Sequence, residues 1–515
     1  MPRKTGRFVR RFPVLPILGL AAVLALSAII PAVNLTQKKA KAAAAVFFPG
    51  DHGQHTNYLA EWWYLNLLVR TTKTNGTDEK DLGHVISFSR IAGNKGLLSS
   101  RYDNNTKSFK ESTNTGGSLT VSLLSGKYML VKYANGLIAA TLEEKPPGTD
   151  RKKIYKLTGK TGEIGTFDLT MKERTVVSTG YNTPLLWGGT TGNCRGKIPV
   201  FGGDDTFYYS IPDLDITGTI TDIDGAARAV KAGKAWIDHQ WFNTLPPGDW
   251  KGHYWTGMHL TNSGSIYDTA PHQAVGFVTQ IYNSGPRYTY WVKRNTDGTN
   301  ECGTGGRATI NSYGTTNYPS SWKFELNKSN NMFLQMSGIS FSDNQIFKPP
   351  SGPQFFEPAA YYSGSINGKT FTGLGFFETH LNKSMAITKN SSTVTLRAYG
   401  TPGGGIYPNM DILVDNIKVK TFTVTGAFAD YVYTHPFAVD GEQIKVRLPN
   451  DYFVPPQDRN LRVDKMTING RVYQTEANNT LSTGTLTSDT GCAPGFKLSE
   501  WLHCNGYFHY LANYY

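Results

Sequence analysis

The sequence predicts an all-β protein, and three observations indicate it. Short runs of apolar and aromatic residues recur after residue 45, and Gly, Asn, Asp and Ser separate them as turn residues separate strands. Aromatic residues make up 12% of the 515 residues and Gly totals 54, an excess typical of β-rich extracellular proteins. No window keeps a 3.6-residue apolar period long enough to assign a helix. Periodicity by itself leaves both a barrel and a sandwich open.

The clearest strand signals either alternate apolar and polar residues or run apolar throughout. In the front part of the chain they cover 62–69, 84–88, 207–211, 254–260, 274–282 and 371–378. From about residue 391 the strands become shorter and lie at 394–398, 412–414, 422–424, 444–448 and 461–468. This change, in a chain long enough for two to four domains, predicts a separate C-terminal module.

The distribution of charge excludes one class of partner. The formal net charge is +13, but eight of the 52 basic residues lie within residues 1–45, which hold no acidic residue. The rest of the chain has 44 basic residues against 39 acidic ones, a net charge of +5. So nearly balanced a charge gives no support for a nucleic-acid partner.

The first 45 residues have the pattern of an export signal. A basic stretch ends at Arg11, an apolar run covers 14–33, and the small residues 42–45 offer a cleavage site. We therefore predict a signal peptide over residues 1–45 and a secreted protein of bacterial type. The apolar run is about long enough to span a bilayer, so an uncleaved anchor is the alternative.

Four cysteines fit an oxidising, extracellular compartment. We expect a disulfide between Cys492 and Cys504, which lie close together in sequence. Cys194 and Cys302 are the remaining candidates, and their pairing stays open. Zinc is the alternative for these thiols, but no pair shows the C-x-x-C spacing that a structural zinc site usually has.

Common catalytic motifs are absent from the sequence. There is no H-E-x-x-H, no G-x-S-x-G and no phosphate-binding loop. Their absence argues against a zinc protease, an ordinary α/β-hydrolase and a nucleotide-dependent enzyme.

The first group of candidate site residues is the run 61–66, E-W-W-Y-L-N. In a strand, Glu61 and Trp63 share one face, and Tyr64 lies on the other. A carboxylate beside indole rings is unusual on a solvent-facing strand, so Glu61 is a candidate catalytic residue, and Trp63 and Tyr64 are candidates for a substrate pocket. The alternative is a buried aromatic strand with a hydrogen-bonded glutamate.

The second group is the run 235–241, A-W-I-D-H-Q-W. Strand alternation sends Asp238 and His239 to opposite faces, so only one of them can line a pocket while the other is structural. Between Trp236 and Gln240 in an aromatic cavity, Asp238 would be desolvated, and its pKa would rise toward the range of a general acid. Trp236 and Trp241 are further candidates for the substrate pocket. The alternatives are a structural Asp–His pair and a metal site that His239 forms with His84, His253 and His259.

In their order along the chain, these motifs resemble the carotenoid 1,2-hydratase superfamily, which includes lipocalin-like "predicted secreted hydrolases" and is similar to certain fungal pericyclases. The resemblance covers about residues 48–383. The motifs that carry it are E-W-W-Y at 61–64, F-S-R at 88–90, Y-Y-S at 208–210, G-T at 218–219, the run 235–241, Y-Y at 361–362 and G-L-G-F-F-E at 373–378. It implies two consecutive lipocalin-like β-barrel domains, over 46–230 and 231–385, with a pocket between or within them.

The resemblance also implies a chemistry. Asp238 would protonate an alkene, aromatic faces would stabilise the carbocation, and Glu61 or His239 would orient the attacking water. A hydrolase would use the same acid on a leaving group. No cofactor is expected in these two domains. The chain departs from the pattern at Gln240 and Ser363, where the superfamily has acidic residues.

In the C-terminal module the candidate chemistry lies at 450–464. Asp451 and Asp458 stand on a loop between strands, and clustered carboxylates there suit Ca²⁺, which takes six to eight oxygen ligands. The alternative is a loop of Asx turns in which Asp458 pairs with Arg459 or Arg462.

The pattern N-D-x(6)-D-R-N-L-x-V-D-x-x-x-I-N-G at 450–470, with C-N-G-Y-F at 504–508, closely resembles calcium-dependent xylan-binding carbohydrate modules. The resemblance covers about 391–511 and implies a β-sandwich (jelly-roll) domain over 391–515. Calcium held by Asp451, Asp458 and the carbonyl of Gln457 would bind a pair of sugar hydroxyls. Tyr452 would stack on a sugar ring, whereas Asp464 is expected to be structural.

Two classes of function follow from these residues. The first is a secreted hydratase or hydrolase, expected as a monomer and targeted to a xylan-like polysaccharide by the module. The second is a non-catalytic binding protein with an apolar or glycosidic ligand in its barrel. Gln240 and Ser363 favour the second, whereas Glu61 and Asp238 favour the first. A cavity of the pericyclase kind, which only shapes its substrate, would need no acid.

Overall fold

The computed structural model describes residues 46–511 apart from 137, 175–182, 189–193, 202–203, 244–249, 264, 266, 268–271, 283–284, 329–331, 349–353, 382, 384–390, 415–416, 436–438, 440 and 489–490. The signal peptide predicted over residues 1–45 lies outside these residues. Within them, no helix is both long and apolar enough to cross a membrane.

The all-β prediction is confirmed. The strands of the front part are β1 (Ala60–Lys73), β2 (Lys80–Ile91), β3 (Asn94–Asp103), β4 (Ser108–Thr115), β5 (Ser118–Leu124), β6 (Tyr128–Asn135), β7 (Ile138–Lys145), β8 (Ile154–Lys160), β9 (Thr166–Glu173), β10 (Leu185–Leu186), β11 (Lys197–Phe201), β12 (Asp204–Thr221), β13 (Ala227–Phe242), β14 (Trp250–Thr261), β15 (His272–Tyr282), β16 (Gly285–Arg294), β17 (Asn300–Thr304), β18 (Arg307–Tyr313), β19 (Pro319–Lys328), β20 (Met332–Ser340), β21 (Ile346–Phe347), β22 (Phe355–Phe356), β23 (Ala359–Ile366) and β24 (Lys369–Glu378). A short 3-10 turn, Gly50–His52, precedes β1.

These strands form two curled, antiparallel half-barrel sheets. In the described part of the chain the first sheet follows the order β4-β3-β2-β1-β13-β12-β9-β8-β7-β6-β5, with β10 and β11 also paired to β12. The second follows the order β17-β16-β15-β14-β24-β23-β20-β19-β18, and β21 pairs with β22. The first sheet runs through β13 to Phe242, so the chain changes sheet later than the domain boundary expected after residue 230.

Three apolar layers explain why the central strands are buried on both faces. One core lies inside the first half-barrel and includes Trp63 and Trp241, and another lies inside the second half-barrel and includes Trp322. A third core lies between the two sheets and contains Trp236 from the first and Trp255 from the second. Strands β1 and β13 therefore contribute side chains to two cores at once, which accounts for their nearly continuous apolar sequence.

The C-terminal module is a β-sandwich, as predicted. Its strands are β25 (Ser392–Gly400), β26 (Asn409–Val414), β27 (Ile417–Thr423), β28 (Ala429–His435), β29 (Ile444–Leu448), β30 (Tyr452–Val454), β31 (Gln457–Arg459), β32 (Leu461–Ile468), β33 (Arg471–Gln474), β34 (Thr480–Ser482), β35 (Gly495–Phe496), β36 (Trp501–Leu502) and β37 (Gly506–Tyr510), with a 3-10 turn at Gly441–Gln443. One sheet follows the order β28-β25-β32-β33, and the other β27-β26-β29-β37-β34-β35. They enclose a separate apolar core.

Two disulfides bond all four cysteines. The predicted bond between Cys492 and Cys504 is confirmed. Cys194 pairs with Cys302, 108 residues away, and Cys302 lies in β17 of the second sheet. This second bond therefore ties the segment before β11 of the first sheet to the second half-barrel.

A buried ion cluster lies within the first sheet, at one end of strands β2, β3, β12 and β13. The carboxylate of Asp222 accepts hydrogen bonds from the guanidinium groups of Arg101 and Arg228, and Lys80 lies 3.3 Å from it. The Asp222 and Arg228 side chains are fully buried. Replacing Asp222 with alanine is expected to destabilise the protein by up to about 3–5 kcal/mol, because two buried guanidinium groups would lose the carboxylate they share. Arg101 would keep only Asp103, and Arg228 only the partly exposed Asp78 and Asp224. Denaturant unfolding of the variant measures this difference.

The matched control is Asp150→Ala. Asp150 also pairs with a basic residue, Lys172, at 2.7 Å, but both side chains are more than 40% exposed. Exposed pairs of this kind are screened by water, so the control should have the same free energy of unfolding as the wild-type protein. Equal loss of stability in the two variants would show that burial of the Asp222 cluster does not matter.

Candidate functional site

The first candidate site surrounds Asp238 in the layer between the two sheets. Antiparallel pairing sets Tyr64 of β1 and Ser210 of β12 directly beside Asp238 of β13. The Asp238 carboxylate accepts hydrogen bonds from the Ser210 hydroxyl, from Trp236 Nε1–H at 2.6 Å and from the Tyr208 hydroxyl at 2.7 Å. The side chain is almost inaccessible to water, with 3% of the residue exposed.

Two further indoles give this network a direction. Trp187 Nε1–H donates to Ser210 Oγ, and Trp255 Nε1–H donates to the Tyr208 hydroxyl, each at 2.7 Å. An indole nitrogen can only donate, so each hydroxyl accepts a hydrogen bond from an indole and donates one to Asp238. Trp255 belongs to β14, so the site is assembled from both half-barrels.

The environment of Asp238 raises its pKa to about 7, because burial penalises the charged form. The hydrogen bonds from Ser210, Tyr208 and Trp236 act in the opposite direction, and the nearby charge of Glu378 adds to the rise. A carboxyl group that is partly protonated at neutral pH can act as a general acid.

The second sheet supplies a carboxyl group that the sequence analysis did not single out. Glu357 stands between β22 and β23 with 1% of the residue exposed, and neither carboxyl oxygen has a hydrogen-bond partner among the described residues. Burial and the neighbouring charge of Glu378 raise its pKa well above the usual range. A lone acidic residue in the apolar run F-F-E-P was the sequence signal that could have identified it.

Glu357 is expected to make the protein less stable as pH rises. Its pKa in the folded state exceeds that in the unfolded chain. The free energy of unfolding therefore falls by about 1.4 kcal/mol for each pH unit above about 5, until the folded-state pKa is reached. Glu357→Gln removes this titration. As pH rises, the variant should therefore become more stable relative to wild type. Denaturant unfolding of both proteins at several pH values measures this difference.

Glu163→Gln is the control for this titration, since the Glu163 side chain is 78% exposed beside Lys110. The free energy of unfolding of this control should equal that of wild type at every pH. A Glu357→Gln variant whose stability also runs parallel to wild type would mean that Glu357 is ionised in the folded protein.

The second candidate site lies on the opposite face of β13, inside the first half-barrel. His239 Nε2 and His55 Nδ1 both contact Glu61 Oε1, at 3.0 Å and 2.7 Å. The backbone N–H of His55 also donates to both Glu61 oxygens. Trp63 stacks on the His239 ring and Trp241 on the His55 ring, with centroids 4.4 Å and 3.9 Å apart. The result is a carboxylate enclosed by two imidazoles and two indoles.

Charges and hydrogen bonds set the protonation of this cluster. Burial opposes ionisation of Glu61, but the hydrogen bonds and charges of His239 and His55 lower its pKa to about 2. Burial lowers the pKa of His239. The pKa of His55 is raised, because its contacts with Asp51 and Glu61 outweigh the cost of burial. Sequence reasoning missed His55, since it lies before β1 and outside any strand pattern.

The structure separates residues that the sequence analysis grouped as one catalytic set. Asp238 and His239 point to opposite faces of β13, as strand alternation predicts, and Glu61 lies with His239. The expectation that Glu61 or His239 orients water for Asp238 is therefore not supported by this geometry. Of the proposed pocket residues, Tyr64 and Trp236 lie in the layer between the sheets with Asp238, whereas Trp63 and Trp241 lie in the core of the first half-barrel.

The other positions weighed in the sequence are also accounted for. Among the described residues, His239 joins a potential metal-binding group with His55 and Glu61, not with His84, His253 or His259. His253 instead pairs with Glu378 at 2.9 Å. Ser363, where a glutamate was expected, is exposed in β23, so the missing carboxylate there does not change the surroundings of Asp238.

In the C-terminal module, Asp451 directly precedes β30 and Asp458 lies within β31, the second strand of the same hairpin. Burial and the negative charge of Asp458 raise the pKa of Asp451, and Asp451 Oδ1 is buried with no hydrogen-bond partner in the described part of the module. Two neighbouring carboxylates, one with an unsatisfied oxygen, fit the oxygen-rich coordination of Ca²⁺. Gln457 lies at the start of β31, and its side-chain Oε1 accepts a hydrogen bond from the Gly404 N–H at 2.7 Å.

The alternative pairing for Asp458 is not seen in the described residues. Arg459 donates to the backbone carbonyls of Gly403 and Asn450, and Arg462 pairs with Glu500. Asp464 lies 3.8 Å from Arg397 and 3.9 Å from Lys465, in agreement with a structural role.

Tyr452 lies beside the two carboxylates but is only half-exposed. Its ring packs over Gly404, where an added Cβ would lie 3.1 Å from Cζ of the tyrosine. The Arg459 guanidinium lies 5.3 Å from the ring centroid. The ring is thus held in place, and one face contacts protein.

Comparison with known proteins divides the chain in the same way. Residues 39–378 match the family model described as AttH-like, and residues 393–483 match the Ca-dependent xylan-binding carbohydrate-binding module. Over 113 residues the chain is 34% identical to the endo-1,4-beta-xylanase Xyn11B of Cellvibrio japonicus. The matched segment covers 22% of this chain and 28% of that protein. The match therefore spans less than a third of the xylanase.

Two solved structures are also similar. Kievitone hydratase from Nectria haematococca is 15% identical, with a TM-score of 0.45, and the match covers 66% of this chain and 94% of that one. The structure of vCBM60 in complex with galactobiose is 34% identical, with a TM-score of 0.19, and the match covers 23% of this chain and 96% of that one.

Proposed function

The chain belongs to the AttH-like family and carries a C-terminal module of the calcium-dependent xylan-binding family, and from this premise we propose that it is a secreted enzyme that uses Asp238 as a general acid. The observation that carries the proposal is one buried carboxyl group with a pKa of about 7, set among aromatic side chains where two sheets meet. The reaction is hydration of an alkene, or hydrolysis when the same proton goes to a leaving group.

The network around Asp238 supports this role. Protonated Asp238 gives its proton to an alkene carbon, and the resulting carbocation lies against the faces of Tyr64, Trp236 and Trp255. Water then adds to the cation and returns a proton to the carboxylate. The hydroxyls of Ser210 and Tyr208 already point at the carboxylate, so the charge formed by proton transfer is stabilised without rearrangement.

The C-terminal module supports targeting to polysaccharide. Calcium bound by Asp451, Asp458 and the Gln457 carbonyl would hold vicinal hydroxyls of a xylan-like chain, and Tyr452 would contact the sugar ring. Tethering raises the local enzyme concentration at a plant-type wall without altering the chemistry.

A non-catalytic binding protein is the second candidate. The observation in its favour is that Asp238 is 3% exposed and already accepts three hydrogen bonds, so it could serve to rigidify an apolar pocket. In that case the front domains hold an apolar or glycosidic ligand, and the module anchors the complex.

One experiment separates the two candidates. The full chain is incubated with a panel of apolar alkenes and aryl glycosides in water labelled with the heavy oxygen isotope ¹⁸O. The products are analysed by mass spectrometry. Heavy oxygen in an alcohol product shows hydration, and release of the aglycone shows hydrolysis. Ligand binding by calorimetry without turnover of any bound compound would favour the binding protein.

A further inference from the structure

The proposed function leaves the cluster of His55, Glu61 and His239 without a role. These side chains come from three places: the segment before β1, the start of β1 and the last part of β13. One ligand atom from each lies within 4.8 Å of the other two, and they form the metal-capable group among the described residues. Glu61 and His239 are fully buried, and His55 is 15% exposed at its side chain.

Proton accounting singles out His55. Its Nε2 lies 3.1 Å from the Asp51 carboxylate, while its Nδ1 lies 2.7 Å from Glu61. A neutral imidazole carries one N–H, so a His55 held between two carboxylates needs either a second proton or a cation at Nδ1. The position between His55 and Glu61 is therefore one where positive charge is stabilised.

The surrounding contacts follow the pattern of metal-binding histidines, whose second nitrogen is held by a carboxylate or another polar group. Asp51 holds Nε2 of His55. The Tyr209 hydroxyl holds Nδ1 of His239 at 3.0 Å. Arg90 lies 3.4 Å from the second oxygen of Glu61. Each of the three candidate ligands thus presents one atom to the centre and has its other atom oriented by a partner.

We propose that His55 Nδ1, His239 Nε2 and a Glu61 oxygen bind a divalent transition-metal ion of the zinc class. Two imidazoles and one carboxylate suit such an ion better than Ca²⁺, which prefers oxygen ligands throughout. Ligands on a tetrahedral zinc ion lie roughly 3.4 Å apart. The imidazole nitrogens must therefore withdraw from Glu61 Oε1 by some tenths of an ångström, from 2.7 Å and 3.0 Å, while the two nitrogens, which lie within 4.8 Å of each other, must approach to that spacing. The movement falls to His55, which belongs to a segment outside the sheets.

The ion has a structural role in this geometry. Trp63 and Trp241 cover the two imidazoles, and the three ligands tie residues 46–59 to β1 and β13. The proposal is independent of the role of Asp238, which faces the other side of β13. It departs from the expectation that the front domains bind no cofactor.

The test uses the full chain, with calcium in excess to fill the C-terminal module. The protein is dialysed against Zn²⁺ and analysed for bound metal, and Co²⁺ is added in parallel to obtain the visible spectrum of the site. We expect one tightly bound equivalent in wild type and its loss in His55→Ala and Glu61→Gln. The visible Co²⁺ spectrum should appear in wild type, disappear when Zn²⁺ is added and be absent from both variants.

Two further variants keep the test decisive if the buried Glu61→Gln chain does not fold. Asp51→Asn removes the charge of the group that orients His55 and keeps one side-chain oxygen for the Phe47 N–H that Asp51 also binds. It should weaken zinc binding about 10–100-fold while the circular dichroism stays that of wild type. His253→Gln is the matched control, because His253 forms a comparable His–Glu pair on the second sheet. It should bind zinc like wild type. A wild-type chain without a tight equivalent, or a His55→Ala chain that binds as tightly, would overturn the proposal.

Discussion

Replacing Asp238 with asparagine is expected to reduce turnover about 10²–10⁴-fold, the range by which a positioned general acid accelerates a reaction. Asparagine has nearly the same shape as a protonated aspartic acid, but it has no proton to give. Because burial already raises the pKa of Asp238 to about 7, a neutral side chain at this position places no new charge in the layer between the sheets. Product formation from the substrate found in the heavy-oxygen experiment measures the effect.

The pH profile gives a second reading of the same prediction. The acid must be protonated, so the wild-type rate should fall as pH rises through about 7. The residual activity of Asp238→Asn should not show this decline. Folding and xylan binding should be unchanged in the variant, since the module has its own core.

The control for Asp238→Asn is Asp215→Asn. Asp215 also lies on the first sheet, in β12, but its side chain is 48% exposed beside Lys234. This variant should keep wild-type turnover. Unchanged turnover in Asp238→Asn itself would exclude Asp238 as the acid and leave the ligand-binding alternative.

Removal of calcium is expected to abolish binding of the full chain to insoluble xylan. Burial, and to a smaller extent the charge of Asp458, raise the pKa of Asp451, so the site favours a cation between the two carboxylates. Without that cation nothing links the carboxylates to the sugar hydroxyls. Sedimentation with xylan, cellulose and chitin, in excess calcium and in excess calcium chelator, measures the loss. Asp458→Asn should weaken the calcium-dependent binding at least about tenfold.

Asp464→Asn is the matched control for the calcium prediction, because Asp464 belongs to the same module but contacts Arg397 and Lys465. Its xylan binding should equal that of wild type. Binding should also weaken in acid at a higher pH than ordinary aspartates would cause, since protons compete with calcium for Asp451, whose pKa is raised. Xylan binding that persists in chelator would contradict the metal-dependent mechanism.

Much of the local structure could be predicted from the sequence. The strand signals at 62–69 and 254–260 lie within β1 and β14, and the shorter pattern after residue 391 is the β-sandwich module. The opposite orientation of Asp238 and His239 follows from alternation along one extended strand. Such features depend on residues that are close together in sequence, so composition and periodicity are enough to predict them.

The partners of each candidate residue could not be predicted, because they come from distant parts of the chain. Tyr208 and Ser210 reach Asp238 through the pairing of β12 with β13, and Trp255 reaches Tyr208 across the contact between two sheets. His55 reaches Glu61 from a segment that has no strand periodicity at all. No local pattern in the sequence encodes which strands become neighbours.

The sequence by itself thus determined the all-β class, the division into front domains and module, the Cys492–Cys504 bond and the face on which each strand residue lies. Only the tertiary structure decided that Glu61 and Asp238 belong to different sites, that Cys194 pairs with Cys302 and that Glu357 is buried with no hydrogen-bond partner among the residues the structure describes. The physical reason is that alternation is a property of each extended backbone, whereas strand order and sheet packing arise from long-range burial of apolar surface.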